Sequence, residues 1–432
     1  MLYNQGTFTG EITTMGNQLI RFTQKLSKQQ FYQAIISTLR ILLPFEFIGI
    51  ALHIIYETAF HENGIFEAIF DLRSNLPAFK PLGITLKITT MLIFLSIALS
   101  IAFLVADHFV SSSTRPTTRY LAGLTSLTIY FLLIAETSPS LNLLQISESS
   151  GNLLLPIIVG LIIGFCFTKL QAHSHTGFGN NWPTILTLFI FILLIGGLSL
   201  TVHQTQYYAS FFYQQISTLL NIGAHPSFLK ILLAVTLRNC AHFFGIISDF
   251  TNTIANQFPD QGANLAYVIA HHNLWKIPYP ITFHSLYNSY GMLGGNGMLL
   301  ALNATLLFKI KNKRMQFAAR LSLGQTLFDQ GGTLLFGIPV LFNPILLIPF
   351  LLAPLISMML GYLFIMTKLV PPATYIIPHA TPGILRAFLG TNGDWRALLL
   401  SLACLAISSA IYYPFINLIN RAINEQGDVN HG

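Results

Sequence analysis

The chain is 432 residues long, 53% hydrophobic and only 9% charged, against roughly 25% charged in soluble domains. That balance speaks against a soluble globular protein and for a membrane-embedded one. The net charge of +7 is not gathered into a basic cluster with interleaved aromatics, so a nucleic-acid partner is not expected either.

Met1–Gly16 is polar and lacks the basic start and apolar run of a cleavable signal. Gln18–Leu39 places Leu19, Phe22, Leu26, Ala34, Ile35 and Leu39 on a rough stripe, which predicts a helix lying on the cytoplasmic interface. Residues 1–40 are read as this interfacial segment. A span follows at Ile41–Tyr56, interrupted only by Glu46. An ionisable residue inside a span is a functional candidate by default, although Arg40, close before it, equally allows a place near the interface. Further charge-free windows run at Ile88–Ala106, Tyr120–Ala135, Asn152–Thr168 and Trp182–Val202. Residues 41–213 therefore read as a half built of regular spans joined by short loops.

From about residue 214 to 420 the pattern is irregular. A weaker span around Ile231–Ser248 precedes His271–Gly297, where Pro278, Pro280, Gly291, Gly294, Gly295 and Gly297 mix with Trp275, Tyr279, Phe283, Tyr287 and Tyr290. Backbone of this kind at membrane depth is tolerated only when buried in protein or lining a watery cavity. Gly291–Phe308 is a further window and Lys309–Arg320 a basic loop. Leu334–Thr367 then carries no charge and has prolines at Pro339, Pro344, Pro349 and Pro354. It is longer than the about 20 residues of a straight span, and proline breaks helical hydrogen bonding. The segment is therefore expected to run as a broken, re-entrant path followed by a span, the device with which transporters build midplane sites. Ala397–Leu418 is the last window, and residues 421–432 read as a cytoplasmic tail or linker. Together these predict an all-α polytopic membrane protein of eight or more crossings plus hairpins, with re-entrant segments near Thr251–Asn264 or Pro278–Gly297 and at Asp329–Pro344.

Lysine and arginine set the orientation. Arg21, Lys25, Lys28 and Arg40 precede the first span, Arg115 and Arg119 separate the second and third windows, and Lys169 follows the fourth. Thr137–Gly151 and His203–Phe228 have no cation, while Arg73 and Lys80 run against the pattern. Both termini are expected in the cytoplasm, on the inner side of a membrane that the chain crosses many times. Cys166, Cys240 and Cys404 are isolated in apolar sequence and read as inert thiols. His271–His272 and His173-x-His175 lack acidic or cysteine companions at ligand spacing, so neither a metal nor a cofactor is expected.

The sequences FGIPVLFNP (Phe336–Pro344), IPFLLAPL (Ile348–Leu355), LVPP (Leu369–Pro372), TPGIL (Thr381–Leu385), GDWR (Gly393–Arg396) and YYPF (Tyr412–Phe415) resemble, in that order, the membrane subunit (enzyme IIC) of sugar phosphotransferase systems, lactose/cellobiose/diacetylchitobiose branch. LGGNG at Leu293–Gly297 and FFGI at Phe243–Ile246 are similar to two further motifs of that family, and Ala34–Ile35 with Pro44 to Gly49 echo its first helix and span. The resemblance implies a homodimer of ten-span protomers with two re-entrant hairpins. Each protomer would have a dimerising half, here 41–213, and a sugar-transport half, here 214–420, that shifts to carry a β-linked disaccharide to a soluble phosphorylated partner.

The resemblance also defines departures. The family's sugar-site histidine follows Phe-Phe-Gly-Ile, and here that position is Ile247. Its glutamate, in an Asn-Glu-Pro triplet, aligns with Gly332, and its frequent tryptophan before Phe-Phe-Gly with His242. A shift of one or two residues would bring Asp329 or Asp249 into play. The substrate-binding candidates are thus His242, Ile247, Gly294, Gly295, Asn296, Gly332, Asp394 and Trp395: glycine amides, Asn296 and Asp394 for hydroxyls, Trp395 and His242 as flat faces. No catalytic residue is expected, because the imidazole and carboxylate that would orient and activate a sugar hydroxyl are missing. The expected ligand contacts are neutral. Two functions stay open. One is an enzyme IIC-like sugar permease impaired in coupled phosphorylation, working with soluble phosphotransferase components. The other is a membrane sugar sensor on the same scaffold, joined to a C-terminal signalling domain.

Overall fold

The apolar windows fold as helices. The computed structural model describes residues 5–110, 116–134, 153–172, 227–246 and 259–429. Among them the only β pairing is a parallel bridge between Gly64 and His379. In chain order the helices are α1 (Gln5–Ser27), α2 (Gln30–Ile55, continued by a π-helical turn Tyr56–Phe60), α3 (Phe79–Phe109), α4 (Pro116–Ile134) and α5 (Leu154–Ala172). After them come α6 (Phe228–Phe243), α7 (Pro259–His271), a π-helical segment at His284–Gly291, α8 (Leu299–Lys309) and α9 (Lys313–Leu327). The last four are α10 (Gly332–Gly337), α11 (Pro344–Met366), α12 (Gly383–Gly390) and α13 (Trp395–Val429). Two short helices, Ile65–Phe70 and Leu72–Asn75, lie between α2 and α3.

Among the described residues four helices are long and apolar enough to cross a membrane: Gln30–Phe60, Phe79–Phe109, Pro344–Met366 and Trp395–Glu425. Their outward faces carry large exposed apolar side chains, such as Ile84, Ile88 and Leu92 on α3 and Leu352, Met359 and Leu363 on α11. That is the surface a lipid-facing helix presents. The window at Trp182–Val202, the segment Thr251–Phe258, Ile247 and Asp249 lie outside the described residues.

α3 is the hub of the first half, with α2, α4 and α5 packed on it. Gly160 and Gly164, one turn apart on α5, allow the close crossing: a Cβ on either would come within 2.8 Å of Val105 Cβ or Phe109 Cβ. Small residues at such contacts let helix backbones approach without a hydrophobic driving force. Ala98, Ala102, Ala106, Ala122, Tyr130 and Ile163 form a compact core there. A second, larger core runs from Leu39 and Ile101 through Tyr287, Tyr290 and Leu299 to Phe336, Phe350 and Tyr412. α2 and α3 are therefore the elements that face the irregular half.

Two expectations change in the structure. The amphipathic stripe of residues 18–39 is not one interfacial helix. α1 ends at Ser27, and α2 begins at Gln30 and runs on into the first span. The proline-rich segment does break, but only once. Pro339 sits in the turn between α10 and α11, and Pro344 takes the first turn of α11 behind Asn343, whose side chain accepts from the Ile345 amide at 3.0 Å. Proline is tolerated at that point because its missing donor would be unpaired anyway. Pro349 and Pro354 lie inside an uninterrupted α11.

Candidate functional site

Three backbone irregularities meet where α2 faces the second half. α6 stops at Phe243, with Gly245 at φ +83° just beyond and His242 in its last turn. Between the π-helical segment and α8, Gly294, Gly295 and Gly297 all have positive φ (+83°, +99°, +75°). Only glycine serves at Gly297, because a Cβ there would fall inside the Phe350 ring. The third irregularity is the α9–α10 turn, where Asp329 adopts φ +60°.

Side chains tie these turns together. Asn239 Oδ1 accepts from the Gly297 amide at 3.1 Å, and Tyr412 donates to the Gly297 carbonyl at 2.6 Å. Tyr287 donates to Asn296 Oδ1 at 2.7 Å. The Asn296 amide nitrogen lies 3.2 Å from His242 Nδ1, and the His242 ring stacks on Phe350 at 6.2 Å between centroids. Since the amide can only donate, Nδ1 accepts and a neutral His242 carries its proton on Nε2. Asp329 accepts from the Gly294 amide at 2.5 Å through Oδ1 and pairs with Arg386 of α12 at 2.7 Å through Oδ2.

The turns enclose a cavity of about 330 Å³, at the small end of the range of roughly 300–1,000 Å³ for ligand sites. Its polar lining comprises Glu46, His53, Arg238, His242, Asn296, Asp329 and Gln330, and its apolar wall includes Phe94, Met292, Leu299 and Phe336. Glu46 is 7% exposed, and among the described residues no hydrogen bond or ion pair engages its carboxylate. It abuts Gly332: a Cβ built there would overlap Glu46 Oε1 and the tip of Ile50. A larger cleft, about 720 Å³, lies between α1, α2, α9 and α13 with Arg40, Lys313 and Arg314 on its walls. It shares no lining residue with the smaller cavity and holds no acid.

The structure brings His242, Gly295, Asn296 and Gly332 to the cavity, and Gly294 borders it through its bond to Asp329. Asp394 and Trp395 do not line it. Asp394 caps α13 and binds Arg396 at 2.6 Å, whose hydrogen bond holds the carboxyl below its ordinary range. Trp395 is 64% exposed. The expectation of purely neutral contacts does not survive, because two carboxylates and a guanidinium line the space. Glu46 drew attention in the sequence only as a charge inside a span. Arg238 carried the same signal in a weaker window and was passed over. Among the described residues, Glu57, His61 and His379 alone form a group with donor atoms all within 4.8 Å, as metal ligation would need, and none of them lines the cavity.

A polytopic helical membrane protein with a buried polar cavity between a straight span and broken, glycine-rich segments has the architecture of a solute-handling membrane protein. The particular family follows from comparison. The family profile for the phosphotransferase system EIIC matches residues 38–354, and the chain belongs to that family. It is 35% identical over 135 residues to the cellobiose-specific EIIC component of Lactococcus lactis, which covers 31% of this chain and 27% of that protein. It is 32% identical over 139 residues to the lichenan permease IIC component of Bacillus subtilis, 32% of this chain and 31% of the other. It is 29% identical over 247 residues to the oligo-beta-mannoside-specific EIIC component of the same organism, 55% and 53% of the two chains. The alignments thus span between about a quarter and a half of these relatives' lengths. The crystal structure of ChbC, the IIC component for N,N'-diacetylchitobiose, superposes with a TM-score of 0.43 at 20% identity, over 93% of this chain and 96% of that one.

Proposed function

We propose that this EIIC-family protein binds a β-linked disaccharide in the cavity between α2 and the glycine-rich turns and carries it across the membrane, with impaired coupling to phosphorylation. The observation that carries the reading is the cavity itself, in which hydrogen-bonding groups converge opposite an apolar wall. Sugars need that combination, polar groups for hydroxyls and apolar surface for the ring's C–H face. The names of the related chains (cellobiose, lichenan, oligo-beta-mannoside) support the β-linked class. Ile247 and Gly332 support impaired phosphorylation, since neither carries a group able to move a hydroxyl proton. On this reading the protein is an inner-membrane homodimer joined through residues 41–213, with both termini cytoplasmic, and soluble phosphotransferase components are its partners. The same two residues favour a second reading, a membrane sugar sensor that binds without transport.

Reconstitution in proteoliposomes with a panel of β-disaccharides, with and without soluble phosphotransferase components, separates the readings. Saturable uptake with little sugar phosphate is expected. Binding without uptake selects the sensor, sugar phosphate at ordinary rates removes the impairment, and no binding removes the sugar site.

A further inference from the structure

We infer that Glu46, on α2, is the ligand-binding carboxylate of this cavity, and that Gly332 is a glycine because Glu46 occupies the space of its side chain. The inference rests on reading the cavity as the sugar site. A carboxylate buried inside a span is costly unless it is paired or hydrogen-bonded. Asp329, the other acid of the cavity, meets that requirement through Gly294 and Arg386. Glu46 does not: it is buried and lines the cavity, and no protein group among the described residues satisfies it. Structural acids in membranes are held as Asp329 is held. Glu46, with no partner among the described residues, faces a cavity from which an entering ligand can supply donors.

The donors it selects are defined by its surroundings. A carboxyl group offers two oxygens side by side, which can engage two neighbouring hydroxyls at once. Asn296 Oδ1 already accepts from Tyr287 and its amide already meets His242, so Asn296 is a weak competitor for a hydroxyl donor. Arg238 lines the same cavity, so a second negative charge in the ligand is not required to balance the site. A neutral polyol with adjacent hydroxyls fits this set.

The geometry at Gly332 turns the inference into an exchange. A side chain at 332 and Glu46 in its present position exclude each other, because the Cβ alone would overlap Glu46 Oε1. The other overlap is with Ile50 Cδ1, a methyl that Val lacks. A side chain at the start of α10 therefore displaces the Glu46 head from the place where it now lines the cavity.

The test is binding of the disaccharide that the wild-type protein takes best, in nanodiscs, alongside size-exclusion and melting profiles. Loss of the hydrogen bonds the carboxyl makes to the sugar predicts that E46Q and E46A weaken binding, by about tenfold for each bond lost. G332E alone also loses binding, and E46A/I50V/G332E recovers most of it. Monodeoxy analogues of the disaccharide provide a readout that a structural role would not move. The analogue lacking the hydroxyl that meets Glu46 binds wild type weakly and loses nothing further in E46A. Wild-type affinity in both E46Q and E46A, or equal analogue penalties in wild type and E46A, overturns the inference while leaving the sugar site standing. Failure of the wild-type protein to bind any neutral disaccharide overturns the reading of the cavity, and the inference with it.

Discussion

The pair Asp329–Arg386 is the clasp that closes α12 over the glycine-rich turns, and removing its cation should be among the most damaging single changes in the protein. The Asp329 side chain is 3% exposed and that of Arg386 16%, with 2.7 Å between Oδ2 and the guanidinium. Arg386→Met keeps the apolar stem and removes the charge, leaving a buried carboxylate supported by the Gly294 and Gly295 amides but by no counter-ion among the described residues. Breaking one partner of a buried pair costs about 3–5 kcal/mol, on the order of a hundred- to several-thousandfold in the folded population. Most of that cost is the orphaned charge, so Asp329→Asn/Arg386→Met should be much less damaged than Arg386→Met. Asparagine keeps an acceptor for the Gly294 amide and no longer needs a counter-ion. Detergent-solubilised variants would be compared by denaturant-induced unfolding as a double-mutant cycle. An Arg386→Met protein as stable as wild type, or a double variant no better than the single one, would refute the reasoning.

Gly297→Ala should abolish ligand binding and lower stability, because φ +75° is strained for alanine and its Cβ would enter the Phe350 ring; a Phe350→Ala partner change that relieves the overlap should restore part of the folded yield, read by size-exclusion profile. Gly164→Leu should pry α5 from α3, where a Cβ already comes within 2.8 Å of Phe109 Cβ, at about 1–3 kcal/mol for overpacking, read as a lower melting temperature without altered affinity for the ligand. Cysteine labelling at Lys313→Cys should occur only from the cytoplasmic side if the Lys/Arg pattern sets the orientation, and labelling from outside the cell would invert the proposed topology.

What the sequence made legible follows from the range of the forces involved. Membrane embedding was readable because span length and charge exclusion act on contiguous residues, as at α3 and α11. The buried irregular backbone at residues 271–297 was readable for the same reason: glycine and proline punctuate locally. The pairings were not. Whether Asp329 is free or clasped depends on Arg386, fifty-odd residues away, and no local pattern reports it. Pro349 and Pro354 read as breaks but sit in a continuous helix, because neighbouring packing around α11 overrides a local penalty. Asp394 and Trp395 stood in a motif that pointed to the site, and the fold uses Asp394 to cap a helix and bind Arg396 instead. Glu46 was visible as a charge in a span, but its meeting with Gly332 joins residues 286 positions apart and appears only in three dimensions.

That meeting has a consequence for transport. A carboxylate at position 332 would belong to the half that the family resemblance assigns to motion, and would travel with the ligand. A carboxylate at position 46 belongs to α2, packed on α3 in the half proposed to stay fixed. If residues 214–420 shift as the proposed function requires, Asn296 and His242 would go with the sugar and Glu46 would be left behind. The ligand would then lose its hydrogen bonds to Glu46 in one of the two end states, about tenfold in affinity for each, and release would be favoured on the side the moving half reaches. Wild-type protein should therefore show different disaccharide affinities in right-side-out and inside-out vesicles. In E46A the tighter of the two should fall to the level of the weaker, and in E46A/I50V/G332E, where the acid moves with the ligand, both should rise together. An affinity difference between the two faces that persists unchanged in E46A would show that the asymmetry has another source and that Glu46 does not remain behind when the site moves.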